Sequence, residues 1–95
     1  IDKMELGIGC QRMLQRLYRQ RRIGGKHLPE VICRQWIKNL SKQERKKALE
    51  KWKWCIQEGL VLTKQKPSER HVFLNPTKVN EIKQLIKPEE ENYEE

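Results

Sequence analysis

Apolar residues recur every three or four positions through most of the chain, which is the spacing of one face of an α-helix. The first run predicts an amphipathic helix over residues 9–22, ended by Gly24 and Gly25. A second run predicts a helix from Pro29 to Asn39, since proline suits a first helical position. The apolar positions are Cys10, Met13, Leu14, Leu17 and Tyr18, then Val31 or Ile32, Cys33, Trp36, Ile37 and Leu40.

A third helix is predicted over residues 42–58 by signals at both of its ends. Ser41 followed three residues later by Glu44 forms a capping box, and Gly59 supplies a C-terminal cap. At 100° per residue one side of this helix is apolar and is expected to be buried. Trp54 lies on the other side, and we expect it to pack against the following hairpin or a fourth helix, with a nucleic acid or a protein partner as the alternative. The residues of the buried side are Ala48, Leu49, Trp52, Cys55 and Ile56.

The C-terminal third changes from helical spacing to short β-branched runs. Two such runs around a polar loop predict a β-hairpin with strands near 60–65 and 70–74. Asn75 and Pro76 then start a fourth helix over about 77–87. Residues 88–95 are mainly acidic and predict a disordered tail, so the expected domain is 1–87.

Charge is distributed unevenly along the 95 residues, whose net charge is +8. Five of the 13 acidic residues lie in the last seven, so residues 1–88 hold 21 basic against 8 acidic residues, a formal charge of +13. Such a body attracts polyanions, with nucleic acid as the first candidate and an anionic membrane surface as the second. The arginines at the end of the first helix are expected to bind phosphate rather than only cover a solvated face: Arg16, Arg19, Arg21 and Arg22.

Several classes of protein are not favoured by this sequence. No apolar stretch is long enough to span a membrane or to form a signal-peptide core, so an intracellular protein is expected, in the cytoplasm or nucleoid, or in the nucleus of a eukaryote. The three cysteines form no CxxC pair and lie on apolar stripes, which predicts buried thiols rather than disulfides, zinc ligands or redox sensors. His27 and His71 are also not expected to bind metal. With no nucleophile and base pair or phosphate-binding glycine loop, we expect no enzymatic activity, no cofactor and no metal.

The order of predicted elements is helix, helix, tight turn, helix, hairpin, helix. The turn is Asn39-Leu40-Ser41, the third helix ends in Glu58-Gly59-Leu60-Val61, and the hairpin carries Lys64, Lys66 and Arg70. Over about residues 9–87 this pattern resembles the winged helix-turn-helix superfamily: a mainly α fold with a three-helix core, a small β-hairpin and a C-terminal helix. The hairpin departs from many wings because its tip, residues 66–69, has no glycine.

The resemblance implies a protein that binds double-stranded DNA, most simply a transcription regulator. Helix 42–58 would lie in the major groove, and hairpin 60–74 would touch the backbone or the minor groove. Side chains expected to read bases are Gln43, Lys46, Lys47 and Glu50, and those expected to meet phosphates are Lys42, Arg45, Lys51 and Lys53 on the helix and Lys64, Lys66 and Arg70 on the hairpin. The alternative is a winged-helix protein–protein interaction module, a subunit of a larger nucleic-acid-processing complex.

A homodimer is also predicted, because two copies on neighbouring half-sites would gain specificity from symmetry. Its contact is assigned to an apolar stripe on the fourth helix, with packing of that stripe onto the first helix as the alternative. The stripe consists of Val79, Ile82, Leu85 and Ile86.

Overall fold

The computed structural model describes residues 6–94, and it describes side chains for residues 6–86. This part of the chain forms a mainly helical domain with four α-helices and a three-stranded antiparallel sheet. The mainly α fold with a β-hairpin is thus confirmed. In chain order the elements are α1 (Gly7–Arg19), β1 (Leu28–Pro29), α2 (Glu30–Gln35), α3 (Lys42–Gln57), β2 (Val61–Gln65), β3 (Arg70–Leu74), a short 3₁₀ helix (Pro76–Lys78) and α4 (Val79–Glu94).

Helices α1 and α3 make the central contact of the core. The apolar face of α1 is fully buried at Met13, Leu14 and Leu17. On α3, Ala48 and Trp52 are 1% and 2% exposed. The burial of these residues follows the predicted stripes, although Leu49 and Ile56 are only half-buried.

Both predicted ends of α3 are present. The backbone N–H of Glu44 donates to the Ser41 hydroxyl at 3.1 Å. At the other end Gly59 has φ +79°, and the N–H of Leu60 donates to the Cys55 carbonyl at 2.9 Å. A side chain at residue 59 would be strained in this left-handed conformation. The chain therefore leaves α3 sharply and enters β2 two residues later.

The sheet contains one strand that the sequence pattern does not predict. In the predicted hairpin, β2 pairs with β3 from Val61 opposite Leu74 to Gln65 opposite Arg70. The additional strand β1 pairs with the other edge of β3, with Leu28 opposite Val72. Two residues, one of them a proline, are too short to show an alternating pattern. Leu28 and Val72 are nevertheless buried, so β1 helps to close the core.

The first two helices are shorter than predicted. Helix α1 ends at Arg19 rather than residue 22, because the chain turns through Arg21 at φ +59° and the N–H of Arg22 bonds the Leu17 carbonyl. Helix α2 begins after Pro29, which is its N-cap and not its first residue. It ends at Gln35 rather than Asn39, since the following N–H groups bond carbonyls three residues back.

Helix α4 packs against the same core. Asn75 caps the 3₁₀ turn by accepting a bond from the N–H of Thr77 at 3.0 Å, as the sequence predicts. Ile82 and Ile86 are fully buried within one chain, and the side-chain amide of Gln11 on α1 donates to the Leu85 carbonyl. The stripe assigned to a dimer contact is thus largely core, which was the alternative. Helix α4 continues to Glu94, past the predicted end at residue 87. The disorder of residues 88–95 stays a prediction, because side chains beyond residue 86 lie outside the described ones.

Gly9 allows α1 to approach α3 closely. A Cβ at this position would stand 2.5 Å from the Cβ of Ala48, closer than two carbons can come. Alanine normally stabilises a helix relative to glycine, but here its Cβ would force α1 and α3 apart. We expect Gly9→Ala to lower the free energy of unfolding by about 1–3 kcal/mol. Chemical denaturation measures it.

Gly25→Ala is the matched control for this substitution. A Cβ at Gly25 would meet nothing within 4 Å, so we expect a change within about 0.5 kcal/mol. A Gly9→Ala protein as stable as the wild type would show that the packing of α1 on α3 is looser than described.

Candidate nucleic-acid interface

The outward face of α3 is polar and basic. Lys46, Glu50 and Lys53 are exposed and, with Gln43 and Gln57, lie within about 80° of one another around the helix axis. Large hydrophobic residues are absent from this face. Among residues 6–86 the exposed large hydrophobic residues are Ile8 on α1 and Val31 and Ile32 on α2. The face can therefore offer hydrogen bonds and positive charge without an apolar surface.

Other cations of α3 are placed differently from Lys46. Lys47 is exposed, but its alkyl chain covers Gly7, with Cε 3.5 Å from where a Cβ would stand. Lys51 is half-buried on the same flank of the helix, near α1. These two lysines lie beside the outward face and not on it. Lys42 is exposed in the first turn.

Arg45 serves the turn before α3. Its Nη1 donates to the Lys38 carbonyl at 3.0 Å and to the Leu40 carbonyl at 2.9 Å. These carbonyls belong to the short connection between α2 and α3, where helical partners are lacking. Arg45, which was predicted to meet phosphate, thus already stabilises the connection between α2 and α3 through Nη1. Its other guanidinium N–H groups are the ones that could donate to a phosphate.

The hairpin ends in the tight turn 66–69. The N–H of Lys66 donates to the Glu69 carbonyl at 2.9 Å, which closes the turn without a glycine. Lys64 is exposed on β2 opposite His71, and Lys66 is half-buried. Two of the three predicted hairpin cations therefore lie on the side of the sheet that faces away from the core.

The third hairpin cation, Arg70, is held by a buried carboxylate. Its Nε and Nη2 donate to the two oxygens of Glu30 at 3.0 and 2.8 Å. Trp52 completes the group, since its indole Nε1 donates to Glu30 Oε2 at 2.8 Å. Burial alone would raise the pKa of Glu30, but the bonds from Arg70 and Trp52 outweigh it and hold the pKa below its usual value. These three residues, the Glu30 network, join α2, α3 and β3.

Sequence reasoning missed the Glu30 network. A glutamate in the first turn of a helix is ordinary, because it complements the helix dipole. The signal in the sequence is the predicted burial of Trp52, because a buried indole N–H needs an acceptor, but the sequence does not say which residue supplies it.

The two histidines meet on the outer side of the sheet. His27 Nδ1 and His71 Nδ1 are 2.8 Å apart, and His71 Nε2 is 3.4 Å from a carboxylate oxygen of Glu69. Burial and the charge of Lys66 lower the pKa of His27. In the described part of the chain, no group of three or more histidine, cysteine or acidic side chains is arranged to hold a metal ion.

Trp54, the three cysteines and Arg16, which the sequence also singled out, have packing contacts. Trp54 is half-buried beside Leu60 and Leu85 in a groove of about 400 Å³ between α3 and α4, which confirms its predicted packing. The three cysteines are fully buried, as expected, and burial raises the pKa of Cys33 to about 12. The guanidinium of Arg16 lies over the Trp36 ring at 5.5 Å.

No protein family, curated protein or solved structure matches the chain in the comparisons made. The site is thus interpreted from its own residues. Within the described residues, no helix has both the length and the apolar character needed to cross a membrane.

We expect Glu30→Ala to lower the free energy of unfolding by about 1–3 kcal/mol, because the buried indole N–H of Trp52 loses its acceptor. Denaturation of Glu50→Ala, an exposed glutamate on α3, is the control and should give little change.

The pKa of folded Glu30 lies below its usual 4.5. The charge-dependent part of its contribution is thus present above pH 4.5 and is lost as the pH falls through the lower value, so the difference between wild type and Glu30→Ala should narrow in acid.

The histidine contact predicts a second pH effect. In this contact one Nδ1 carries a hydrogen and donates it to the other Nδ1, which must be unprotonated. If both rings were protonated, both Nδ1 atoms would be donors and the hydrogen bond would be lost. Because the pKa of folded His27 lies below the usual 6.5, stability should be full above that value and fall as the pH drops through the lower one.

Denaturant unfolding between about pH 7.5 and 5.5 measures this effect, since only histidine side chains ordinarily titrate there. His27→Asn should flatten the dependence because an amide does not titrate. A dependence equally steep in both proteins would contradict the assignment.

Proposed function

We propose that this chain is a winged-helix protein that binds double-stranded DNA, most simply as a transcription regulator. Helix α3 would enter the major groove and the β2–β3 hairpin would touch the backbone or the minor groove. The layout supports this proposal. A short connection leads from α2 into α3, and the hairpin follows α3 directly through Gly59.

The observation that carries the proposal is the outward face of α3. It is exposed along the helix and combines lysines with side chains that can bond base edges, while the large apolar residues of α3 point inward or to the flanks. Glutamine and lysine can bond purine edges and glutamate can accept from cytosine. The basic body adds non-specific attraction for phosphate.

The geometry suggests a division of roles among the predicted residues. Lys46 and Glu50 lie near the middle of the outward face and Gln43 lies at one edge of it, and all three are exposed and suit base contacts. Residues at the margins suit phosphate contacts: Lys42, Lys47 and Lys53 on α3, and Lys64 and Lys66 on the hairpin. Arg45 and Arg70 act first within the protein, and Lys51 is half-buried, so we assign them smaller direct contributions.

A protein–protein interaction module is the second candidate. Val31 and Ile32 of α2 are 51% and 37% exposed, and neighbouring apolar residues on a surface are typical of protein contacts. This patch lies on α2 and leaves α3 open, so it would suit a partner that binds beside DNA. The homodimer also stays a prediction, and it would need a surface other than Ile82 and Ile86.

Titration of labelled duplex DNA at two salt concentrations tests the proposal. We expect affinity to fall steeply with salt, because bound lysines release condensed counterions. Absence of binding at low salt, or affinity that is independent of salt, would overturn the proposal.

Two substitutions separate reading from positioning. Selection from a random duplex library gives the preferred site of the wild type. Lys46→Ala should then cost about 1–3 kcal/mol on that site and relax its sequence preference. Lys64→Ala should weaken all duplexes alike, and Lys83→Ala on α4 is the control, since this exposed lysine lies outside the interface. If Lys64→Ala changes the preference and Lys46→Ala does not, the roles of α3 and the hairpin are reversed.

A further inference from the structure

A cleft of about 370 Å³ opens between α2, α3 and β3. Its apolar lining comes from one flank of α3: Leu49, Trp52 and Ile56. Leu49 and Ile56 are the two residues of the predicted core stripe that are only half-buried. The cleft is thus an opening at the edge of the core, and its volume falls in the range of small-ligand sites.

Three cations line the same cleft, each from a different element. Arg34 comes from α2, Lys53 from α3 and Arg70 from β3. The acidic side chain in the lining is Glu30, and both of its oxygens already accept bonds from Arg70. Arg34 and Lys53 are exposed. The charged groups of the lining therefore leave an excess of positive charge beside an apolar surface.

We propose that this cleft binds a small organic carboxylate with an apolar, ring-sized body. The body would lie against Leu49 and Ile56, and the carboxylate would accept hydrogen bonds from Arg34 and Lys53. Glu30 would not repel the anion strongly, because Arg70 neutralises it. A neutral ligand would make no ion pair with Arg34 or Lys53, and a bare inorganic anion would make no use of the apolar lining.

A bound carboxylate would also oppose DNA, and this part rests on the proposed function. Lys53 belongs both to the cleft and to the margin of the outward face of α3, so one anion would occupy a cation assigned to phosphate. The ligand is therefore expected to weaken duplex binding by competition and to act as an effector.

Titration with 2-naphthylacetate tests the site in the absence of DNA. Trp52 lines the cleft, and its indole N–H donates to Glu30, which also lines it, so the NMR resonance of this N–H should shift on binding. The neutral 2-naphthylacetamide is the matched probe for charge, and inorganic phosphate is the probe for the anion alone. Both should bind at least about threefold more weakly, because each lacks one of the two interactions.

Arg34→Gln and Lys53→Gln should each weaken 2-naphthylacetate binding about threefold to tenfold. Lys38→Gln is the control, since this exposed lysine lies outside the lining. Equal binding of the acetate and the acetamide, equal binding by Arg34→Gln and wild type, or a shift at Trp54 instead of Trp52 would overturn the site.

The effect of the ligand on DNA binding is measured in a separate experiment. Competition between 2-naphthylacetate and a duplex supports the effector role, and simultaneous binding of both overturns that role. If the ligand binds and the protein binds no duplex, the proposed function fails while the ligand site stands.

Discussion

The arrangement of α2, α3 and β3 depends on one carboxylate. Glu30 accepts bonds from Trp52 on α3 and from Arg70 on β3, and it stands at the start of a helix of six residues. A helix that short is not stable alone, so tertiary contacts must hold it. A buried carboxylate without partners would be unfavourable, and so would a buried indole N–H. Glu30 and Trp52 therefore require each other, and the bonds from Arg70 to Glu30 join the hairpin to this pair.

The same network shapes the surface around it. Because Arg70 turns inward to Glu30, the positive charge left for a partner near the network comes from residues of α3, from Lys64 and Lys66 on the outer side of the sheet, and from Arg34 on α2. The inward turn of Arg70 also places a cation at the edge of an apolar opening lined by Leu49 and Ile56. One interaction thus links the stability of the fold to both proposed surfaces.

The sequence predicted those features that local chemistry determines. Helix α3 has its cap at Ser41 and its end at Gly59 because both depend on a few neighbouring residues. Strand β1 could not be predicted, because it exists only through pairing with β3, more than 40 residues later. The second helix was predicted, but it ends at Gln35 rather than Asn39. The role of Arg70 was missed for the same reason: its charge is visible in the sequence, while the partner that occupies it is distant in the chain and close only in the fold.

The outward face of α3 differs from the other sides of this helix because no packing contact of the fold depends on its side chains. The core uses Ala48 and Trp52, the flank toward α1 holds Lys47 against Gly7, and the opposite flank carries the cleft. Folding therefore constrains the residues on these sides, whereas Gln43, Lys46 and Glu50 are free of such demands. An exposed face with two lysines, two glutamines and one glutamate is suited to a charged, hydrogen-bonding surface, and duplex DNA presents both properties along its grooves.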